Sequence, residues 1–172
     1  MLPDFKEFLS VLNAHKVKYS IVRGQAVIRL LQPRTTKDLD VLIQPAPSNG
    51  AALFRALQAF GTPLGNRIAA DFIEKRTYFT MGVPPDAIDI LPEIGGVTFA
   101  AAWKNRATLM IDSETGLTAH FISRDDLITA KLASERLQDF ADVEALRLAA
   151  AASVPGRTAR ARIRSKNKPE AD

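Results

Sequence analysis

Three carboxylates set the chemistry this sequence can be read to carry. Asp38 and Asp40 are separated by one residue, and Asp89 stands amid apolar neighbours in Ala87-Ile88-Asp89-Ile90-Leu91. Side chains two apart on a strand point the same way, so a strand through Asp38-Leu39-Asp40-Val41 presents both acids on one face. Like charges held together repel, and the cluster is costly unless something positive neutralises it. A hard divalent cation, Mg²⁺ or Mn²⁺, fits that role, because it takes oxygen ligands and is commonly held by a few carboxylates plus phosphate oxygens. Two such ions ~3.5–4 Å apart can polarise a phosphoryl group and activate an attacking oxygen. Phosphoryl or nucleotidyl transfer of this kind needs no cysteine or serine nucleophile. A bare Asp-x-Asp is common on exposed strand faces, however, so the weight falls on the pattern around it.

The elements that must position these residues can be read from periodicity. Phe5, Phe8, Leu9 and Leu12 mark an amphipathic helix over Asp4–Lys16. A first strand is expected over Val17–Val22, ended by Arg23-Gly24, and a short helix over Gln25–Leu31, stopped by Pro33. The second strand, Asp38–Gln44, carries the paired acids. Beyond Pro45-Ala46-Pro47-Ser48-Asn49-Gly50, a helix is expected near Gly50–Phe60, closed by Gly61 and Pro63. Strands follow over Thr77–Met81 and Ala87–Leu91, the latter bearing Asp89. Strand-like pieces recur at Thr108–Ile111 and Leu117–Ile122, and two helices close the chain: Arg124-Asp125-Asp126 starts one over about Leu127–Arg136, and Asp139–Ala152 forms the other. The expected fold class is α/β (α+β), a small mixed sheet with helices packed on it and helices at the C-terminal end.

Composition bounds the rest. The chain has 172 residues, 47% hydrophobic and 24% charged, which suits one domain with a sizeable core. It has no cysteine, which excludes disulfides, thiolate zinc sites and cysteine nucleophiles. No apolar run approaches the ~20 residues that cross a bilayer, and the first residues lack a signal-peptide layout, so no membrane partner and a cytoplasmic location are expected. The formal net charge is +4. Six cations beyond Ser153 (Arg157, Arg160, Arg162, Arg164, Lys166, Lys168) against Glu170 and Asp172 give the same +4, so the body is close to neutral. Residues 1–152 are therefore expected to form the domain and 153–172 a basic, disordered tail. Such a tail can bind RNA or acidic partners nonspecifically.

The whole pattern resembles the nucleotidyltransferase superfamily (polymerase beta-like), specifically the minimal nucleotidyltransferases of toxin–antitoxin and abortive-infection systems. Tyr19-Ser20-Ile21-Val22-Arg23-Gly24-Gln25-Ala26-Val27 stands in the place of the family's strand, glycine turn and helix start. Pro33-Arg34-Thr35-Thr36-Lys37-Asp38-Leu39-Asp40-Val41 is similar to its arginine-containing loop and metal-binding strand. Ile88-Asp89-Ile90-Leu91-Pro92 resembles the strand with the third carboxylate. Leu127-Ile128-Thr129-Ala130-Lys131 and Arg136-Leu137-Gln138-Asp139-Phe140-Ala141-Asp142-Val143 resemble its helical K…R-x-x-D-x-x-D segment.

The resemblance implies transfer of a nucleoside monophosphate from an NTP to a hydroxyl on RNA, a protein or a small molecule. It implies Mg²⁺ or Mn²⁺ held by Asp38, Asp40 and Asp89, with Asp89 on a second ion or acting as base. Arg23, Gly24, Gln25 and Lys131 would bind nucleotide, with Gly24 letting the backbone approach a phosphate at a helix N-terminus. For Lys131 the alternative is a solvated helix lysine. Arg136 and Asp139, three apart, are expected to pair with each other. Arg34 could face phosphate or support its loop.

One departure matters. The family's turn reads glycine followed by glycine or serine, whereas Arg23 occupies the first glycine's place here. Its side chain could block the triphosphate pocket or contact phosphate itself. The competing expectation is therefore an inactive nucleotidyltransferase-like antitoxin or regulatory protein, with a cognate toxin or antitoxin as partner. Other candidates are plainer: His15 and His120 read as surface or edge residues, Gly95-Gly96 as a tight turn, and Trp103 with Phe99 as packing.

Overall fold

The computed structural model describes residues 1–31, 38–75, 77–83, 86–134 and 136–153. Residues 154–172 of the expected tail, Pro33 and Arg34 lie outside them; Ser153, expected to open the tail, closes the last helix. The chain opens with α1 (Pro3–Ala14), β1 (Tyr19–Val22) and α2 (Arg23–Leu31), then β2 (Leu39–Ile43) and α3 (Pro47–Ala59). A short 3-10 helix (Ala69–Phe72) precedes β3 (Phe79–Met81) and β4 (Ile88–Leu91). Next come α4 (Phe99–Asn105), β5 (Ala107–Asp112), β6 (Leu117–Phe121), α5 (Arg124–Leu132) and α6 (Leu137–Ser153).

One mixed six-stranded sheet runs β3-β4-β2-β1-β6-β5. The inner strands β2 and β4 are parallel, as are β1 and β6, whereas β1 and β2 are antiparallel. Alternation along the strands feeds two cores. Tyr19, Ile21, Leu39, Val41, Ile43, Ile88 and Ile90 pack with α1 and α3 in one cluster. Val22, Leu42 and Leu91 join Ala26, Val27, Leu127 and Leu146 in the other. Four fully buried side chains of α1 (Phe5, Phe8, Leu9 and Leu12) hold that helix to the sheet. Each contributes about 1.5–3 kcal/mol by leaving water.

Several boundaries differ from expectation for local reasons. The third helix begins at Pro47 because a proline loses nothing at a first helical position, where the N–H is unpaired anyway. Gly50 then lies inside α3, where a Cβ would meet the Ala69 carbonyl oxygen at 2.8 Å, so glycine lets α3 lie close against the 3-10 helix. The first turn of α3 also carries buried Asn49, whose amide donates to the Lys18 and Gln44 carbonyls. Helix α5 starts at Arg124, as expected, and Ser123 caps it by accepting the Asp126 N–H. It ends at Leu132, not Arg136, where the Ser134 N–H bonds the Lys131 carbonyl three residues back rather than the helical four.

The turn expected at Gly95-Gly96 is present, bridged by Ile94 and Val97. Gly96 has φ +72°, and a Cβ there would lie 3.0 Å from Ala133 Cβ and 3.2 Å from the Thr129 oxygen. Gly96→Ala is expected to cost about 1–3 kcal/mol, from overpacking added to backbone strain, read as a lowered midpoint in urea denaturation.

Candidate active site

The paired acids come to lie beside the third through strand register. Asp40 in β2 is the direct neighbour of Asp89 in β4. Asp38 stands just before β2, where the Leu39 N–H bonds the Ala87 carbonyl at 2.9 Å and continues the pairing. Because Leu39, Val41, Ile88 and Ile90 face the α1/α3 core, all three acids face the other side, toward α2, α5 and α6.

Each carboxylate has a different partner. Asp40, 7% exposed, receives Arg23 Nη1 on Oδ1 at 2.9 Å. Asp89 Oδ1 accepts the Thr80 hydroxyl from β3 at 2.6 Å. Asp38 Oδ1 is buried with no hydrogen-bond partner among the described residues. Burial pushes the Asp40 carboxyl above its ordinary range. The charge and hydrogen bond of Arg23 oppose that shift, and the charges of Asp89 and Asp38 add to it. Among the described residues, no three acidic or histidine side chains close up tightly enough to ligate an ion as they stand. The donor set nevertheless suits a hard cation, since it is all oxygen and includes one buried oxygen that none of the described residues satisfies.

Arg23 enters from the junction of β1 and α2. The helix expected at Gln25 begins at Arg23, because that residue turns the chain directly from strand to helix at φ +53°. The left-handed conformation that a glycine takes freely therefore falls on an arginine, at roughly 1–2 kcal/mol. Gly24 lies in the first turn of α2.

The opposite wall is the α5–α6 corner. Lys131, 9% exposed, donates to Asp139 Oδ1 at 2.6 Å and to Asp142 Oδ2 at 2.7 Å. Ser134 donates to the second oxygen of Asp139. The alternative of a solvated helix lysine is thus overturned. The Arg136–Asp139 pair is corrected as well: Arg136 precedes α6, and Asp139 is bonded to Lys131 and Ser134 instead. Burial, the largest influence on Asp139, pushes its carboxyl up. The hydrogen bonds from Lys131 and Ser134, with the charges of Lys131 and Arg136, outweigh it and leave the group below its usual range.

One cavity of about 530 Å³ is lined by Asp38, Asp40, Asp89, Arg23 and Gly24 on the sheet side and by Lys131, Arg136, Asp139 and Asp142 on the helical side. Gln25 is not among its lining residues. Sequence reasoning missed Thr80 and Ser134. Thr80 could have been found, since alternation with Phe79 and Met81 sends it to the acidic face. His120 is not an ordinary surface residue: it is half-buried against Trp103, with its Nδ1 2.9 Å from the Thr108 hydroxyl. Burial and the nearby Arg106 charge lower its pKa. Trp103 stacks on Phe99, as expected of a packing pair.

A mixed sheet carrying acids on neighbouring inner strands, with helices closing over them, is a nucleotidyltransferase-type arrangement. Over residues 2–166 the chain matches, and belongs to, a family described as nucleotidyltransferase of unknown function (DUF6036). Among curated proteins, none matches. No helix of the described residues is long and apolar enough to cross a membrane.

Proposed function

We propose that this protein is a metal-dependent nucleotidyltransferase that moves an NMP from an NTP to a hydroxyl on RNA, a protein or a small molecule. The observation that carries this is the register of Asp40 with Asp89, which sets two acids side by side, with Asp38 facing the same cavity. Asp38 and Asp40 would hold Mg²⁺ or Mn²⁺, and Asp89 would be a further ligand or the base on the acceptor hydroxyl. Bound there, the ion would offset charge on the triphosphate and the departing pyrophosphate. Lys131 spends two of its three donors on Asp139 and Asp142, which fixes the ammonium and leaves one for a phosphate. Arg136 faces the same cavity. A cytoplasmic location, where NTPs are abundant, goes with this reading.

The Arg23–Asp40 ion pair favours a second reading: an inactive nucleotidyltransferase-like antitoxin or regulator, with a cognate toxin or antitoxin as partner. Thermal unfolding with each of the four NTPs and Mg²⁺ or Mn²⁺ separates the two. A ligand at 100 times its dissociation constant stabilises the fold by ~2.7 kcal/mol. For a domain of this size that is a melting shift of roughly 5–10 °C. The transferase reading requires a metal-dependent shift that Asp38→Asn/Asp40→Asn abolishes. No shift with any nucleotide would favour the inactive regulator.

A further inference from the structure

We propose that Arg23 is an internal counter-cation that competes with metal for Asp40 and gives it up to a nucleotide phosphate, so that metal and nucleotide bind cooperatively. The inference rests on the metal-dependent reading above and adds the device that couples its two ligands.

Three observations carry it. The guanidinium Nη1 is 2.9 Å from Oδ1 of Asp40, one of the carboxylates assigned there to the ion. The two partners are unequally anchored, with the Asp40 side chain 10% exposed and the Arg23 side chain 50% exposed. Arginine is therefore the partner that can leave. It also has somewhere to go. Arg23 lines both the 530 Å³ cavity and a second one of about 440 Å³, which extends past Thr77 and Tyr78.

A guanidinium fork binds carboxylate and phosphate with the same geometry. Without nucleotide, Asp40 is the anion that Arg23 holds, and a metal must displace Arg23 to use it. With a triphosphate in the cleft, the guanidinium gains a second anion and Asp40 is released to the metal. Each ligand then weakens the same internal pair, and the resulting coupling must be equal in both directions. The left-handed backbone at Arg23 fixes the root of the side chain at the β1–α2 junction, so the exchange needs only rotation about its own bonds.

The test is calorimetric titration of Mn²⁺ into wild type, Arg23→Gly, Arg23→Gln and Asp38→Asn/Asp40→Asn. Each titration is run without nucleotide and with an equimolar mixture of NTP analogues non-hydrolysable at the α–β bond, and Mn²⁺ binding by the analogues alone is measured separately and subtracted. Glycine tolerates φ +53° freely, so R23G removes the cation without straining the fold. R23Q keeps a polar side chain without the charge. Without nucleotide, Mn²⁺ is expected to bind both Arg23 variants ~5–150-fold more tightly than wild type, the usual span of such couplings. The analogues should tighten Mn²⁺ binding to wild type by a similar factor, and that gain should largely vanish in both variants. Equal or weaker Mn²⁺ binding in the variants overturns the role of Arg23 and leaves the metal site standing. Absent binding, or binding that the double asparagine variant retains, overturns the metal reading itself.

Discussion

Asp40→Asn is expected to lower nucleotidyl transfer by about a thousandfold or more, measured as incorporation of labelled nucleotide with Mg²⁺ or Mn²⁺ present. Charge stabilisation of several kcal/mol is at stake when a cation at a phosphoryl group loses a ligand, and each ~1.4 kcal/mol is a factor of ten. The same variant should not be less stable than wild type when metal and nucleotide are both withheld. Burial raises the Asp40 carboxyl above its ordinary range despite Arg23, and Asp89 and Asp38 push the same way. A carboxyl raised in the folded state costs stability when ionised, so the cost is present above the raised value. It disappears as pH falls through that value toward the ordinary one. The asparagine variant should accordingly gain on wild type near neutral pH and lose the advantage in mild acid. A large fall in its melting temperature at pH 7 would mean that Asp40 is structural, held for the sake of Arg23.

Lys131→Met should have the largest effect on stability, about 3–5 kcal/mol, which is roughly 10 °C or more in melting temperature. Removing the ammonium leaves Asp139 and the buried Asp142 facing each other without their shared cation. Adding Asp139→Asn and Asp142→Asn should recover most of the loss, because the damage comes from two acids held together without the cation they share. The acid side carries a signature too. The depressed Asp139 carboxyl contributes stability that is present above its unfolded value and lost as pH falls through the lower folded value. Wild type should show that acid limb, and Lys131→Met should flatten it. Chemical denaturation across pH 3–7 would read both, and a variant that melts with wild type would refute the clamp.

The sequence was most legible where one period governed both fold and chemistry. In β2 and β4, alternation fixes which residues enter the core and therefore which way Asp40 and Asp89 must point. The helical side was less legible. Lys131, Arg136 and Asp139 could be located on or near helices, but their pairing depends on where α5 stops. That stop is marked by the Ser134 N–H bonding the Lys131 carbonyl three residues back. Arg23 was visible as an intruder in a glycine position, yet its bond to Asp40 crosses from the β1–α2 junction to the neighbouring strand. No local pattern encodes that contact. Helix α4 went unread because seven residues give too few turns for a periodic signal, although Thr98 caps it by accepting the Ala101 N–H. The 3-10 helix is shorter still.

The placement of Asp40 opposite Asp89 also bears on how the chain avoids folding wrongly. A slip of β2 by one residue against its neighbours would turn each of its side chains to the opposite face. Asp40 would then lie among Phe5, Leu9 and Leu53 rather than at a water-accessible cleft, and an unpaired ionised carboxylate there costs far more than any strand pairing returns. Leu39, Val41 and Ile43 alone would discriminate between the two alignments only by the apolar area they bury. The acids of the proposed metal site thus also proofread the sheet, and a variant that neutralised all three would lose a safeguard of alignment along with its cleft.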